Sequence, residues 1–266
     1  MIFHSNSGWM GASKAETKKL RAVKSILISQ PKPERSPYFD LGSKYGLQID
    51  FRPFIHVEPV SEREFRKTRI RPDEYSAVIF TSRNGIEHFF RMCEDMRIKM
   101  PQSTKYFCLS SAVSNYLQKF IIYRKRKVFV GKKTINDLAP YLLKHKSKEK
   151  FLLPCSNLGS KPVVEFLTNE EFDFNEAMMY RTVSSDLSDL ADITYDVLVF
   201  FSPLGIKSLY ENFPKFKQNE TRIAVFGNST SRAVEERGLT INILAPTPET
   251  PSMTMALEKY IQEANK

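Results

Sequence analysis

Cysteine, histidine and glycine are scarce in this 266-residue chain, and their placing removes several kinds of chemistry. Cys93, Cys108 and Cys155 are odd in number and far apart. They form neither a CxxC pair nor a disulfide framework, a usage that fits a reducing cytoplasm. His4, His56, His88 and His145 are scattered and make no recognised zinc spacing with those cysteines. His56 and His88 fall in different elements, and neither has a partner at i+3 or i+4. The glycines never assemble GxGxxG after the first strand, nor GxxxxGK[ST]; Gly131, Lys132, Lys133 and Thr134 resemble only the tail of the latter. A nucleophile elbow, GxSxG, is also missing. Adjacent acids such as Glu170 and Glu171 do not hold two carboxylates across a substrate. No run approaches the roughly 18 apolar residues of a spanning helix. The opening segment has no apolar core of about 7 to 15 residues, so secretion is not expected. Residues 1–21 read as a flexible leader outside any core, with Met10 as a second candidate start.

What is present describes an ordinary folded chain. At about 150 residues per domain, the length favours two domains. Hydrophobic residues make up 41% and charged residues 26%, enough apolar material for two cores. Forty Lys and Arg against thirty Asp and Glu leave a net charge of +10. That balance attracts anions: nucleic acid, an acidic membrane surface or a polyanionic small molecule.

The chain repeats itself. YSAVIFTSRNGIEHFF from Tyr75 and YDVLVFFSPLGIKSLY from Tyr195 align at one constant offset, pairing Phe80 with Phe200, Ser82 with Ser202, Gly85 with Gly205 and Ile86 with Ile206. Each copy reads as an apolar strand, a Ser- and Gly-containing turn, and a helix. The likeness continues: Tyr106–Leu109 resembles Ile223–Phe226, each followed by a small-polar turn, a helix, and a third strand at Val128–Val130 or Ile241–Leu244. Final helices fall at about Ile135–Lys144 and Ser252–Glu263. Two further strands, Ser25–Ile28 and Phe151–Leu153, open the halves and lead into long extended runs at Leu47–Pro59 and Phe172–Val183. Strands alternating with helices imply two three-layer α/β domains with mostly parallel sheets. The domains are either consecutive or exchange their opening βαβ units.

Loops at the carboxyl ends of such strands are the usual binding places of open parallel sheets. Ser82–Gly85, Ser202–Gly205 and Gly227–Thr230 occupy them. Their hydroxyls and the amides of the following helix suit carboxylates or phosphates, and equally suit plain helix capping. Lys119–Lys150 carries eleven Lys or Arg against two acids. Surface solvation, substrate attraction and nucleic-acid binding all remain open for it.

FTSRNGIEHFF from Phe80, FLLPCSNLG from Phe151, MYRTV from Met179, VFFSPLGIKSL from Val199 and AVFGNSTSRAVEERG from Ala224 together resemble the uroporphyrinogen-III synthase family. SILISQPKPE from Ser25 and FRPFIHVEP from Phe51 look like its first segment. The resemblance covers about residues 24 to 262, with all motifs in family order. It implies two flavodoxin-like domains joined by a two-stranded ladder, with exchanged segments. Domain one would be 22–57 with 183–262, and domain two 59–180. Substrate would lie in the cleft between them. The implied activity is closure of hydroxymethylbilane, a linear tetrapyrrole polycarboxylate, to uroporphyrinogen III with inversion of the last ring and loss of water. No cofactor and no metal are implied.

Tyr180 of MYRTV matches the family's functional tyrosine, and a phenol is a better donor than base at neutral pH. Ser82, Asn84, Ser202, Ser229 and Thr230 match cleft-facing loops expected to bind carboxylates or pyrrole edges. Asn157 and Leu158 match the loop after LLP, where Lys161 adds a positive charge. Ser29-Gln30 departs from the Thr-Arg pair common after the first strand, and Ser110 replaces a glycine, which puts direct contacts at Ser29-Gln30 and Val113 in doubt. The expectation is a cytoplasmic monomer with no nucleic-acid or membrane partner. Two other readings stand beside it: a non-catalytic bilobed anion binder, and a nucleic-acid binder using Lys119–Lys150.

Overall fold

The computed structural model describes residues 20–266; His4, Met10 and the expected leader up to residue 19 lie outside the described residues. The chain begins with strand β1 (Ser25–Ile28), helix α1 (Pro37–Tyr45), and strands β2 (Gln48–Phe51) and β3 (Ile55–Pro59). A short helix α2 (Glu62–Phe65) precedes β4 (Ala77–Phe80), α3 (Arg83–Asp95), β5 (Lys105–Cys108) and α4 (Ser111–Leu117). Then come β6 (Val128–Val130), α5 (Ile135–His145), β7 (Phe151–Ser156), α6 (Lys161–Asn169) and β8 (Phe174–Ser184). The last stretch is β9 (Val197–Phe200), α7 (Pro203–Asn212), β10 (Arg222–Phe226), α8 (Asn228–Glu235), β11 (Ile241–Ala245) and α9 (Met253–Ala264). Two α/β units result: one comprises the described residues up to Phe54 with Asp186–Lys266, the other Ile55–Ser185.

Unit one is a five-stranded parallel sheet in the order β11-β10-β9-β1-β2. Its central strands β9, β1 and β10 are apolar beyond the Ser25 and Arg222 that open the last two, because both faces are covered. Ile26, Ile28, Val197 and Val199 pack towards Leu41 of α1 and Leu257 and Ile261 of α9. Alternate residues Leu27, Leu198, Phe200 and Val225 pack towards Ile206 and Leu209 of α7 and Val234 of α8. Each such buried side chain contributes about 1.5–3 kcal/mol.

Unit two is a six-stranded sheet in the order β3-β8-β7-β4-β5-β6, parallel except where β3 meets β8. Val78, Phe80, Tyr106 and Leu152 face Ile86, Phe89 and Leu117 of α3 and α4. Ala77, Ile79, Phe107 and Leu153 face Leu138 and Leu142 of α5 and Val163 and Leu167 of α6.

The extended run expected over Leu47–Pro59 divides into β2 and β3. Phe54 explains the break: its ring is 2% exposed and sits edge-on to Phe200 at 5.5 Å. Its carbonyl accepts from Ser208 Oγ at 2.5 Å. Arg52 Nη2 donates to Asp186 O at 2.8 Å and pairs with Asp189 at 2.9 Å, which holds the turn on unit one.

Candidate active site around Tyr180

Strand β8 is eleven residues long and has two partners. It runs parallel to β7 over its first part and antiparallel to β3 over its second. At the handover the register slips: Cys155 lies opposite Met178, but Ser156 lies opposite Tyr180. Met179 is thus an extra residue, a bulge that locally re-aims the strand. In a regular strand consecutive side chains point to opposite faces. Here Met179 and Tyr180 both enter the same apolar cluster, and Tyr180 is only 8% exposed.

Ser82 meets it from the neighbouring loop. Its backbone is extended and its Oγ caps α3, accepting from Gly85 N at 3.0 Å. The same Oγ lies 3.2 Å from Tyr180 Oη, and either hydroxyl can donate. The pair owns two hydroxyl hydrogens and spends one on their mutual bond. One O–H donor is left for a ligand.

His88, one turn further along α3, lies flat against the Tyr180 ring, with centroids 4.9 Å apart and planes 18° apart. Arg91 Nε donates to His88 Nδ1 at 3.4 Å. A guanidinium can only donate, so Nδ1 accepts and the ring is oriented as a neutral imidazole. Partial burial and the nearby Arg91 charge hold the His88 pKa below its ordinary value. Arg91 also donates through Nη2 to Val60 O at 2.8 Å and to Met179 O at 3.3 Å, and pairs with Asp95 at 2.7 Å. One side chain therefore grips both the bulge and the imidazole. The histidine that lacked a partner in the sequence has Arg91 at i+3 and Tyr180 from another strand.

The remaining expected residues are distributed over both units. Asn84 is exposed in the first turn of α3. Asn157 uses its amide on the main chain of β8, accepting from Thr182 N at 2.9 Å and donating to Thr182 O at 3.3 Å. It steadies the strand two residues beyond Tyr180. Leu158 is exposed beside it, and Lys161 is solvent-facing at the start of α6, 3.8 Å from Glu165.

In unit one, Ser202 caps α7 as Ser82 caps α3, accepting from Gly205 N at 3.3 Å. Ser229 is exposed in the first turn of α8. Thr230 departs from the expectation of an outward hydroxyl. Its side chain is wholly buried and Oγ1 has no hydrogen-bond partner among the described residues, because the helix turns it into unit one. Gly227, with φ of 85°, makes the turn into α8, a conformation few side chains tolerate.

The cysteines are unsuited to nucleophilic chemistry. Burial pushes the Cys93 and Cys108 thiols up to about 12, and Cys155 up to about 11. Among the described residues, no group of three or more His, Cys, Asp or Glu is arranged to hold a metal ion. No described helix is long and apolar enough to cross a membrane.

Two α/β units, one sheet parallel and the other parallel except at β3, with hydroxyl-capped helices at the carboxyl ends of their strands, place the protein in a flavodoxin-like class. A family model described as uroporphyrinogen-III synthase HemD matches residues 37–255. The chain belongs to the uroporphyrinogen-III synthase family. Uroporphyrinogen-III synthase of Chlorobaculum parvum is 23% identical over 90% of this chain and 100% of its own. The protein of the same name from Schizosaccharomyces pombe is 22% identical over 91% and 99%. In fold, the chain is similar to the crystal structure of uroporphyrinogen-III synthetase from Helicobacter pylori, with a TM-score of 0.57 and 16% identity over 90% of this chain and 99% of that one. A mutant uroporphyrinogen III synthase from Thermus thermophilus gives 0.55 and 15% over 91% and 99%.

Proposed function

We propose that this protein is a uroporphyrinogen-III synthase, a cyclising hydro-lyase that converts hydroxymethylbilane to uroporphyrinogen III with inversion of ring D. The observation that carries the reading is the Tyr180–Ser82 pair with its one unspent O–H donor, in a chain matched to the family over 37–255. Tyr180 donates to the terminal hydroxymethyl oxygen of the substrate. The carbon–oxygen bond breaks and water departs. The electron-poor methylene left behind is attacked by the substituted carbon of the last ring, giving a spiro intermediate. Fragmentation and reclosure at the other carbon, with loss of a proton, deliver the inverted isomer. Closure without inversion competes as soon as the electrophile exists, so holding the chain in the curled pose is the main catalytic task.

Exposed Asn84 and Ser229, with the amides around Ser82 and Ser202, are read as carboxylate or pyrrole contacts. Lys161 adds a mobile cation, Leu158 an apolar contact, and Asn157 acts by fixing β8. Thr230 contributes only through its backbone, since its hydroxyl is buried. The connectivity is read as a segment exchange, in which β1, α1 and β2 complete the sheet formed by β9–β11. The protein works on this reading as a cytoplasmic monomer without cofactor, in keeping with three unpaired, buried cysteines.

The test is turnover of freshly made hydroxymethylbilane with separation of product isomers I and III. Isomer III is expected from the natural chain, and Tyr180→Phe should lose most of it. Isomer I alone, at the uncatalysed rate, rejects the activity. An unchanged rate for Tyr180→Phe rejects the residue.

A further inference from the structure

Unit two has a concavity at the opposite edge of its sheet from Tyr180. It lies at the amino ends of β5 and β6, where Thr104 and Lys127 enter the strands, and encloses about 360 Å³. That volume is near the lower end of the about 300–1,000 Å³ typical of small-ligand pockets. One wall is aromatic: Phe90 and Phe120 stack at 5.0 Å with planes 10° apart. Ile122 stands at the mouth with 81% of its surface exposed. An apolar wall left open in this way has surface to gain from a partner.

The mouth is cationic. Lys99, Arg124 and Lys127 line it, and Lys125 and Arg126 adjoin it in the chain. Gln102 braces two of these charges without neutralising them. Its side-chain oxygen accepts from Arg124 Nη2 at 3.3 Å, and its carbonyl accepts from Lys127 Nζ. Among the described residues, none of Lys99, Arg124 or Lys127 forms an ion pair with a carboxylate. Glu94 is the acid in the lining. Desolvation and then the charges of Arg124, Arg126 and Lys105 hold the Lys127 pKa below its ordinary value. Thr104, also in the lining, is 2% exposed with an Oγ1 that has no hydrogen-bond partner among the described residues. Positive groups held together, unpaired, beside an open aromatic wall are matched by an acid head carrying an apolar body. A nucleic-acid duplex would use the cations and leave the wall bare.

We propose that this cavity binds a small amphiphilic anion, its apolar chain or ring against Phe90 and Phe120 and its acid group on Arg124 and Lys127. The site is independent of the reading at Tyr180.

Anilinonaphthalene sulfonate is the probe, titrated by fluorescence into the full chain near neutral pH. Decanoate below its micellar concentration, methyl decanoate and inorganic phosphate serve as competitors. Saturable binding at one site is expected, displaced by decanoate and not by the ester or by phosphate. R124E/K127E should weaken binding by about tenfold or more, and the surface substitution K99E by about threefold. Both should keep a cooperative thermal melt, which separates site binding from dye uptake by a loosened fold. If R124E/K127E does not melt cooperatively, K99E decides alone. Unchanged affinity in the cooperatively folded variants overturns the proposal. So does equal displacement by phosphate or by the ester, displacement by a short RNA but not by decanoate, or association only with anionic vesicles.

Discussion

His88 and Tyr180 stack face to face, 4.9 Å between ring centres, although one belongs to a helix and the other to the middle of a strand. The contact fixes the plane of the phenol, while the hydrogen bond with Ser82 fixes its tip. A side chain located by two independent contacts loses little freedom when it acts, which is the structural meaning of preorganisation.

His88→Ala is therefore expected to lower isomer III formation by about two- to tenfold, the equivalent of a lost aromatic contact of about 0.5–1.5 kcal/mol. His88→Phe keeps a flat ring and should restore most of the rate. Steady-state assays of the two variants beside Tyr180→Phe check this. Equal loss in Ala and Phe variants would mean that the imidazole acts as something other than a packing surface.

The same histidine gives a pH dependence with a definite sign. Its pKa is lowered in the folded chain, so the unfolded chain binds more protons between the folded value and the ordinary value near 6.5. Stability should be complete above about pH 6.5 and fall as the pH drops through the lower folded value. His88→Phe should lack that component. Urea midpoints across pH 4.5–7.5 for both proteins measure the difference.

Ser82→Ala removes a helix cap and the partner of the phenol at once. A stability loss of about 1 kcal/mol is expected from the cap, together with a fall in turnover. Ser82→Thr can supply both bonds and should recover both properties. Ser202→Ala removes the equivalent cap at α7 and should show the stability loss. Thermal melts read alongside isomer assays separate the effects.

Glu149 supplies a test of the fold itself. Its side chain is 7% exposed and pairs with Lys105. Desolvation pushes the carboxyl up, but hydrogen bonds from Lys105 and Ser76 outweigh it, and the net pKa lies below the ordinary value. The stabilisation is present above the unfolded glutamate value and is lost as pH falls through the folded one. Glu149→Gln should cost about 1–3 kcal/mol at neutral pH and flatten the acid limb, as read by chemical unfolding.

The strands were legible because their apolar runs are short, lie between turn residues and recur in two halves. Val128–Val130 is a strand exactly where the pattern places it, and Ser252 caps α9. Ser82 and Ser202 could be paired from the repeat alone, and both cap helices through the same bond to a glycine three residues on. The bend at Phe54 was not legible, because an aromatic residue in an extended run looks the same whether the strand continues or turns over a neighbouring ring. His88 was missed for a similar reason. A search at i+3 and i+4 for acid–base or metal partners finds only an arginine, while the partner that matters comes from another strand. The burial of the Thr230 hydroxyl was not legible, because a hydroxyl in a helix's first turn suits solvent and interior alike, and only packing decides.

The bulge at Met179 has a consequence for how this site can vary. Tyr180 points where it does because β8 carries one residue more than its neighbour across the handover. The extra residue lets two consecutive side chains, Met179 and Tyr180, share one face, where regular alternation would bring only one. Met179 can be exchanged for another apolar side chain with the tyrosine still in place. Removing it would leave Tyr180 next after Met178, on the face of Ala177, but would take away the carbonyl that accepts from Arg91 and from Val60 N. Substitutions in this stretch adjust the packing, whereas a single deletion takes away the grip that holds the strand.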